Sequence, residues 1–495
     1  MHGPGHAFPR MSVRPLLVYI NRLARLKLLR KPDEKCEKVG LEYPASPYKG
    51  CLMPRSRFDD LIARTLRPFA RVEPSEVVTV VILTLTVFLL LTAYYFLKTA
   101  REPLILLGGG AEVKSYAAAG QALLLLVFVR AYGAVAKRFG RLKLLATVYL
   151  FFASNLLVFA ALAAAKVSVG VAFYLWVGVF NYTSIAQFWA FAADVYSPEQ
   201  GKRLFAILGI GSSLGSVAGA GAARALVTRG PQMLMLAATA LLFVCVALIA
   251  WADRRSRDAR TRGVGVSEEP IGEQSAFGLL IHDKFLLLLA ALTLLLNWVN
   301  TNGEYILDRT LLAALADRHD HPNAAAFIGG FKADYFAWVN VVGVLLQLFV
   351  VSRIFSRLGV RAALYFLPFV AFAGYGLVLF APILSLIRLS KIAENSIDYS
   401  LQNTARQALY LVATRTEKFV GKTAVDTFFV RFGDVMSAAM VWVGVRLALP
   451  TYAFAAINLA LITTWLVVIV SLAREHRRRA GEAEGSAAVE NAVAA

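Results

Sequence analysis

Four ionisable residues, Arg388, Lys391, Glu394 and Asp398, interrupt one apolar stretch of the chain at intervals of three, three and four. That spacing puts four charges on one face of a helix. A charge inside an apolar helix costs about 2.5–3.5 kcal/mol on insertion scales, so such a stripe points to a polar cavity and a path for a solute or ion. The same face continues to Gln402 and Arg406. The alternative is local: Lys391 pairs with Glu394 or Asp398 and part of the stripe neutralises itself.

Two further groups carry charge at helical spacing. In YYFLKTAREPLIL, Lys98 and Arg101 lie one turn apart and Glu102 follows Lys98 by four. Two cations so placed can hold a phosphate, Arg as a bidentate fork and Lys as a point charge. The competing expectation is an intrahelical Lys98–Glu102 pair worth a few tenths of a kcal/mol. In NWVNTNGEYILDR, Asn297, Thr301, Glu304 and Asp308 share a face and are candidates to line the same cavity.

Other patterns read as structure. In LGIGSSLGSVAGAGAA, Leu208 to Ala223, the glycine spacing resembles a phosphate loop only superficially, because no strand precedes it. Gly211, Gly215 and Gly219 recur at four, which suits close helix packing in a membrane. The run Arg318-His319-Asp320-His321 reads as a solvated loop, so no metal is expected, and no cofactor is called for. Nucleophile-elbow, zinc-helix and Walker sequences are lacking, and nothing argues for an enzyme.

The elements that must position these residues follow from hydropathy. The 495-residue chain is 58% hydrophobic with a mean hydropathy of +0.60, which fits an all-α polytopic membrane protein. At about 20 residues per crossing, the expected spans are 77–97, 115–135, 143–164, 169–193, 204–226, 231–252, 284–305, 334–352, 361–380, 382–403, 424–447 and 452–472. Twelve spans place both termini on one side. Arg55, Arg57, Arg64, Arg67 and Arg71 precede the first span, and Arg254, Arg255, Arg257, Arg260 and Arg262 fill the central loop. The positive-inside rule makes that side cytoplasmic. The connection after span seven, with Arg309, Arg318 and Lys332, is the main exception. The formal net charge of +20 is explained by these short connections, so nucleic acid is not an expected partner. Cys36, Cys51 and Cys245 are too few and scattered for a disulfide framework or thiolate metal site.

The expected organisation is a basic N-terminal tail over 1–76, with Met53 as an alternative start, a six-helix bundle over 77–252, a linker over 253–283, a second bundle over 284–472, and a disordered tail over 473–495. The first 76 residues have no signal-peptide layout, which favours a bacterial inner membrane with both termini cytoplasmic.

The halves also repeat. GAVAKRFGRLK, Gly133 to Lys143, and SRIFSRLGVR, Ser352 to Arg361, are short basic turns at corresponding places. The first resembles the cytoplasmic signature of the major facilitator superfamily, with Gly133, Arg138, Gly140 and Arg141 matching and Lys137 where that signature often has Asp. The resemblance implies two six-helix bundles and a gating role for those four residues.

Four blocks carry a narrower resemblance: YYFLKTAREPLILLGGGAEV (Tyr94 to Val113), FWAFAADVYSPEQGKRLFAILGIGSSLG (Phe188 to Gly215), DYSLQNTARQALYL (Asp398 to Leu411) and KFVGKTAVD (Lys418 to Asp426). In order and spacing they resemble the ATP/ADP nucleotide exchange transporter family. That resemblance implies exchange of nucleoside triphosphate for diphosphate. Lys98 then matches the basic residue ending helix one, Glu304 the acid of helix seven, and Lys422 the lysine of the block before helix eleven. Helix four departs from the pattern. It offers Asn181 and Gln187 where the family's exchangers have a membrane-embedded acid, and its first acid is Asp194.

Three functional readings follow. The first is an alternating-access carrier of a nucleotide or related small anion, with Lys98, Arg101, Glu304, Arg388, Lys391, Glu394, Asp398 and Lys422 at the substrate. The second is a proton-coupled carrier of another solute, titrating at Glu304, Glu394 or Asp398. The third is a non-transporting receptor or scaffold. The lipid bilayer is a partner in all three.

Overall fold

The computed structural model describes residues 72–73, 76–136, 141–196, 198–260, 283–317, 323–410, 413–414, 417 and 421–494, all within one compact unit, Ser56–Ala495. They are almost entirely helical. The first helical run, Val77–Ala136, is broken at Gly110, which adopts φ 78° and ψ −177°. Glycine alone reaches that left-handed, extended conformation without strain. The break divides the run into α1 (77–109) and α2 (111–136), so the expected connection over 98–114 is itself helical.

Four more helices complete the first half: α3 (Arg141–Ala164), α4 (Gly170–Val195), α5 (Pro198–Leu226) and α6 (Pro231–Arg260). α5 and α6 begin with proline, whose missing N–H costs nothing in a first turn. In the second half, α7 (Lys284–Ala316) is capped by Asp283, whose carboxylate accepts from the Leu286 N–H, and α8 (Ala324–Phe349) by Asn323 in the same way. A short helix, Val351–Ala363, leads to α9 (Phe366–Phe380). α10 starts as Leu384–Ile397, passes through a π-helical turn at Asp398–Gln402 and ends as Asn403–Leu409. α11 runs from Lys422 through a second π turn, Val425–Phe429, to Arg446, and α12 is Thr451–Ala494.

Among the described residues, seven helices are long and apolar enough to cross a membrane, eight if the bent pair around Val350 is one span; the first counts α1 and α2 together. Within the halves, α1 packs on α5 and α7 on α11 and α12; between them, the α1–α2 run meets α11 and α5 meets α8. The glycine row on α5 makes the α1 contact possible. A Cβ at Gly215 would sit 2.3 Å from the Phe88 carbonyl oxygen, one at Gly211 2.9 Å from that of Thr84, and one at Gly219 2.8 Å from the Thr92 Cα. Backbone touches backbone along three turns, the packing expected from the sequence.

Span eight starts ten residues earlier than hydropathy predicts. Lys332, expected in a connection, lies inside α8 with 0% of its side chain exposed. The expected N-terminal tail, most of the linker, Arg138, Gly140 and the Arg318 to His321 run lie outside the described residues. Gly133 and Arg141 fall in α2 and α3.

Candidate functional site

The site begins with a repeated pair. Each half buries an acid near the end of its first helix, Glu102 on α1 and Asp308 on α7, and a lysine early in its second, Lys114 on α2 and Lys332 on α8. Lys114 Nζ lies 2.5 Å from Glu102 Oε2, and Lys332 Nζ 2.5 Å from Asp308 Oδ1. The pairs also cross between halves: Lys114 reaches Asp308 Oδ2 at 2.6 Å and Lys332 reaches Glu102 Oε2 at 3.8 Å. Two carboxylates and two ammonium groups form a neutral clasp joining the four helices. Removing one member would leave a charge uncompensated, which typically costs 3–5 kcal/mol.

The clasp lies at the end of the bundle away from Val77, where other contacts also join the halves. Tyr305 donates to Glu112 at 3.2 Å, and Arg224 on α5 pairs with Asp334 on α8 at 3.3 Å. Val227 Cγ2 would stand 2.3 Å from a Cβ at Gly329. Nearer the middle, Tyr95 donates to Asn340 at 2.9 Å.

Against the clasp lies a cavity of ≈ 210 Å³ lined from both halves. α1 contributes Tyr95, Lys98 and Arg101, and α7 contributes Asn300, Thr301, Glu304 and Asp308; Tyr335, Phe336, Asn395, Tyr399, Arg431 and Asp434 add to the wall. Glu304 is held by three donors: Tyr335 Oη at 2.6 Å, Asn395 Nδ2 at 3.1 Å and Lys332 Nζ at 3.4 Å. Arg101 pairs with Glu102 at 2.9 Å and lies over the Tyr174 ring, 4.4 Å from its centre. Arg431 pairs with Asp434 at 3.2 Å. Lys98 differs. Its ammonium rests 4.2 Å from the Phe336 ring centre and 5.3 Å from that of Tyr95, and it forms no ion pair among the described residues. Of the two expectations for Lys98, the intrahelical pair is absent: Glu102 is taken by Arg101, Lys114 and Lys332.

The α10 stripe is divided. Lys391 pairs with Glu394 at 3.0 Å and reaches Asn300 Oδ1 of α7 at 2.6 Å, while Tyr375 of α9 donates to Glu394 at 3.0 Å. This pair sits among α7, α9 and α10, behind the cavity wall. Arg388 lies over the Phe331 ring at 4.9 Å. Asp398 has a buried Oδ1 without a hydrogen-bond partner among the described residues. Lys422 stands 5.5 Å from the Tyr410 ring centre and donates to Gln407. Thus Lys98, Arg101 and Glu304 meet at the cavity, while Arg388, Lys391, Glu394, Asp398 and Lys422 do not line it. Sequence reasoning gave no role to Lys114, Arg431 or Asp434 and placed Lys332 in a connection. The available signal was the acid-then-lysine order repeated in both halves.

Among the described residues, two sets of helices packed around a charged central cavity define a polytopic membrane protein. Residues 78–393, well over half of the chain, match the Major Facilitator Superfamily, and the chain belongs to that family. Solved structures with the same fold include a bacterial homologue of the iron transporter ferroportin in an inward-facing state (TM-score 0.56, 14% identity, 80% of this chain and 98% of that one). Another is a POT family transporter in complex with 5-aminolevulinic acid (TM-score 0.57, 11% identity, 81% and 96%). In sequence, the ADP,ATP carrier protein 1 of Chlamydia pneumoniae is 23% identical over 331 residues, 58% of this chain and 63% of that protein. The protein of the same name from Chlamydia muridarum (strain MoPn / Nigg) is 23% identical over 332 residues, 58% and 61%. The chain thus spans about three-fifths of the length of these relatives.

Proposed function

We propose that this transporter exchanges nucleotides, ATP against ADP, or carries a closely related phosphorylated anion, by alternating access. The observation that carries the reading is Lys98: a cation at the cavity without an ion pair among the described residues, one turn from Arg101. An ammonium resting on aromatic rings keeps its donors free for an incoming phosphate. The likeness to ADP,ATP carriers supports the same chemistry.

In this proposal the halves 77–252 and 284–472 rock about the cavity, with both termini cytoplasmic in a bacterial inner membrane. Pockets that bury drug-sized ligands run to about 300–1,000 Å³, so the present ≈ 210 Å³ takes a phosphate group and widens for the rest of the solute. Glu304 competes with the phosphate for cations, while Lys391 and Glu394 fix α10 against α7. Lys422, Arg388 and Asp398 serve the solute on its way from the α10 and α11 ends, and Gly133, Arg138, Gly140 and Arg141 gate the α2–α3 turn. The test is uptake of labelled ATP into liposomes holding the purified protein, with and without ADP inside. Uptake that needs internal ADP and falls at least about tenfold in Lys98→Gln is expected. Folded wild-type protein with no such uptake would refute nucleotide exchange.

A second reading, proton-coupled transport of another solute, is favoured by one observation. The wall carries four carboxylates, Glu102, Glu304, Asp308 and Asp434, against four cations, Lys98, Arg101, Lys114 and Arg431. Uptake that stops when an imposed proton gradient is collapsed would select it.

A further inference from the structure

The cavity wall contains six aromatic rings, and five are already engaged. Tyr95 donates to Asn340, Tyr335 to Glu304 and Tyr305 to Glu112. Tyr174 lies under Arg101 and Phe336 under Lys98. All five are between 1% and 8% exposed. The sixth, Tyr399, is 47% exposed although it lines the interior cavity. It makes no hydrogen bond, ring contact or cation contact among the described residues. Its electrostatic neighbours are Tyr95 and Tyr94 on α1, Asp398, and Glu304 on α7. The open ring is thus part of the cavity wall.

Local structure explains the presentation. Asn395 and Tyr399 are four apart on α10 and share a face, and Asn395 is tied to Glu304 and Tyr335 at 3.1 and 2.5 Å. The π turn begins at Asp398. Such turns occur frequently at functional sites.

We propose that Tyr399 is the stacking surface for a planar heteroaromatic ring, a nucleobase, carried by a solute whose phosphates are held at Lys98 and Arg101. The inference rests on the nucleotide reading above and adds the residue that would hold the base at the other end of the solute. Base stacking on an aromatic side chain tolerates any base, because every base has a π face.

The experiment measures binding of ADP and of inorganic pyrophosphate to the full-length protein in nanodiscs, for wild type, Tyr399→Phe, Tyr399→Leu and Lys98→Gln. Wild type is expected to bind ADP more tightly than pyrophosphate. Tyr399→Leu should lose roughly tenfold or more for ADP and nothing for pyrophosphate; Tyr399→Phe should keep both, and Lys98→Gln should weaken both. In Tyr399→Trp, ADP but not pyrophosphate should quench the added indole emission, which keeps the test available if the leucine variant does not fold. If Tyr399→Leu binds ADP like wild type, or loses ADP and pyrophosphate alike, stacking is overturned while the phosphate reading stands. If wild type binds neither, both fall together.

Discussion

The first helices of the two halves, α1 and α7, follow one plan and differ at one position. Each has an acid in the clasp, Glu102 or Asp308, and each has a charged residue one turn before it, Lys98 or Glu304. Lys98 rests on aromatic rings without an ion pair among the described residues, whereas Glu304 is held by Tyr335, Asn395 and Lys332. The repeat sets where charge enters the cavity, and the exchange of Lys for Glu makes the two walls differ in charge. In the proposed anion carrier, an asymmetric solute would then meet a nearly symmetric frame.

The largest expected effect comes from cutting the shared part of the plan. Asp308→Ala leaves Lys114 and Lys332 short of a partner and should destabilise the protein by about 3–5 kcal/mol. Thermal unfolding in detergent reads this directly. A midpoint within a degree of wild type would show that the clasp is not a buried network. Next is the position where the helices differ. Lys98→Gln should cut anion uptake roughly 10- to 150-fold, the equivalent of losing a charge-assisted hydrogen bond of about 1.5–3 kcal/mol. Glu304→Gln should lower it less, because Lys332 keeps Asp308. Equal losses in transport assays would erase the distinction between the walls.

Packing sharpens the comparison further. α5 crosses α1 at Gly215, where a Cβ would meet the Phe88 carbonyl at 2.3 Å; α11 crosses α7 at Gly433, where it would meet that of Leu294 at 3.0 Å. Gly215→Ala should cost about 1–3 kcal/mol and Gly433→Ala less, as ranked by melting temperatures. The reverse order would contradict the tighter contact assigned to the first half. The smallest effect lies at the foot of α7, where Arg479 pairs with Asp283 at 2.7 Å. Partial burial pushes the Asp283 carboxyl up, but the hydrogen bonds from Arg479 and the Leu286 N–H outweigh it and hold it below the ordinary value. This group's contribution, below about 1 kcal/mol, is present at neutral pH and is lost as pH falls below the usual carboxylate range through the depressed value. Asp283→Asn should flatten that part of the acid-stability curve and leave the rest unchanged.

Most of the architecture was legible because a bilayer demands long apolar helices, and α3, α4, α6, α9, α11 and α12 begin within five residues of their expected starts. The failures share a cause. Hydropathy discounts any segment with charge, so it stopped α1 near Leu97 and started α8 at Asp334, trimming off Glu102 and Lys332. A buried pair makes such segments tolerable, and its partner is distant in sequence. Of Asn297, Thr301, Glu304 and Asp308, which helical spacing put on one face, the last three line the cavity while Asn297 donates to the Val430 carbonyl and to Asp434, and spacing could not say that Lys391 and Glu394 turn toward α9. A face shared on one helix does not determine which neighbour meets it.

The Gly110 break has a consequence for how the chain enters its membrane. α1 and α2 are joined through one non-helical residue, and Glu102 pairs with Lys114 across that break, so the two helices can enter lipid as one paired unit. Each of those charges alone would resist partition into lipid by about 2.5–3.5 kcal/mol. Inserted together they would offset each other, so the pair of helices partitions at less cost than either helix alone. Asp308 on α7 and Lys332 on α8 form the matching pair in the second half, and the crossed contacts tie the two pairs together.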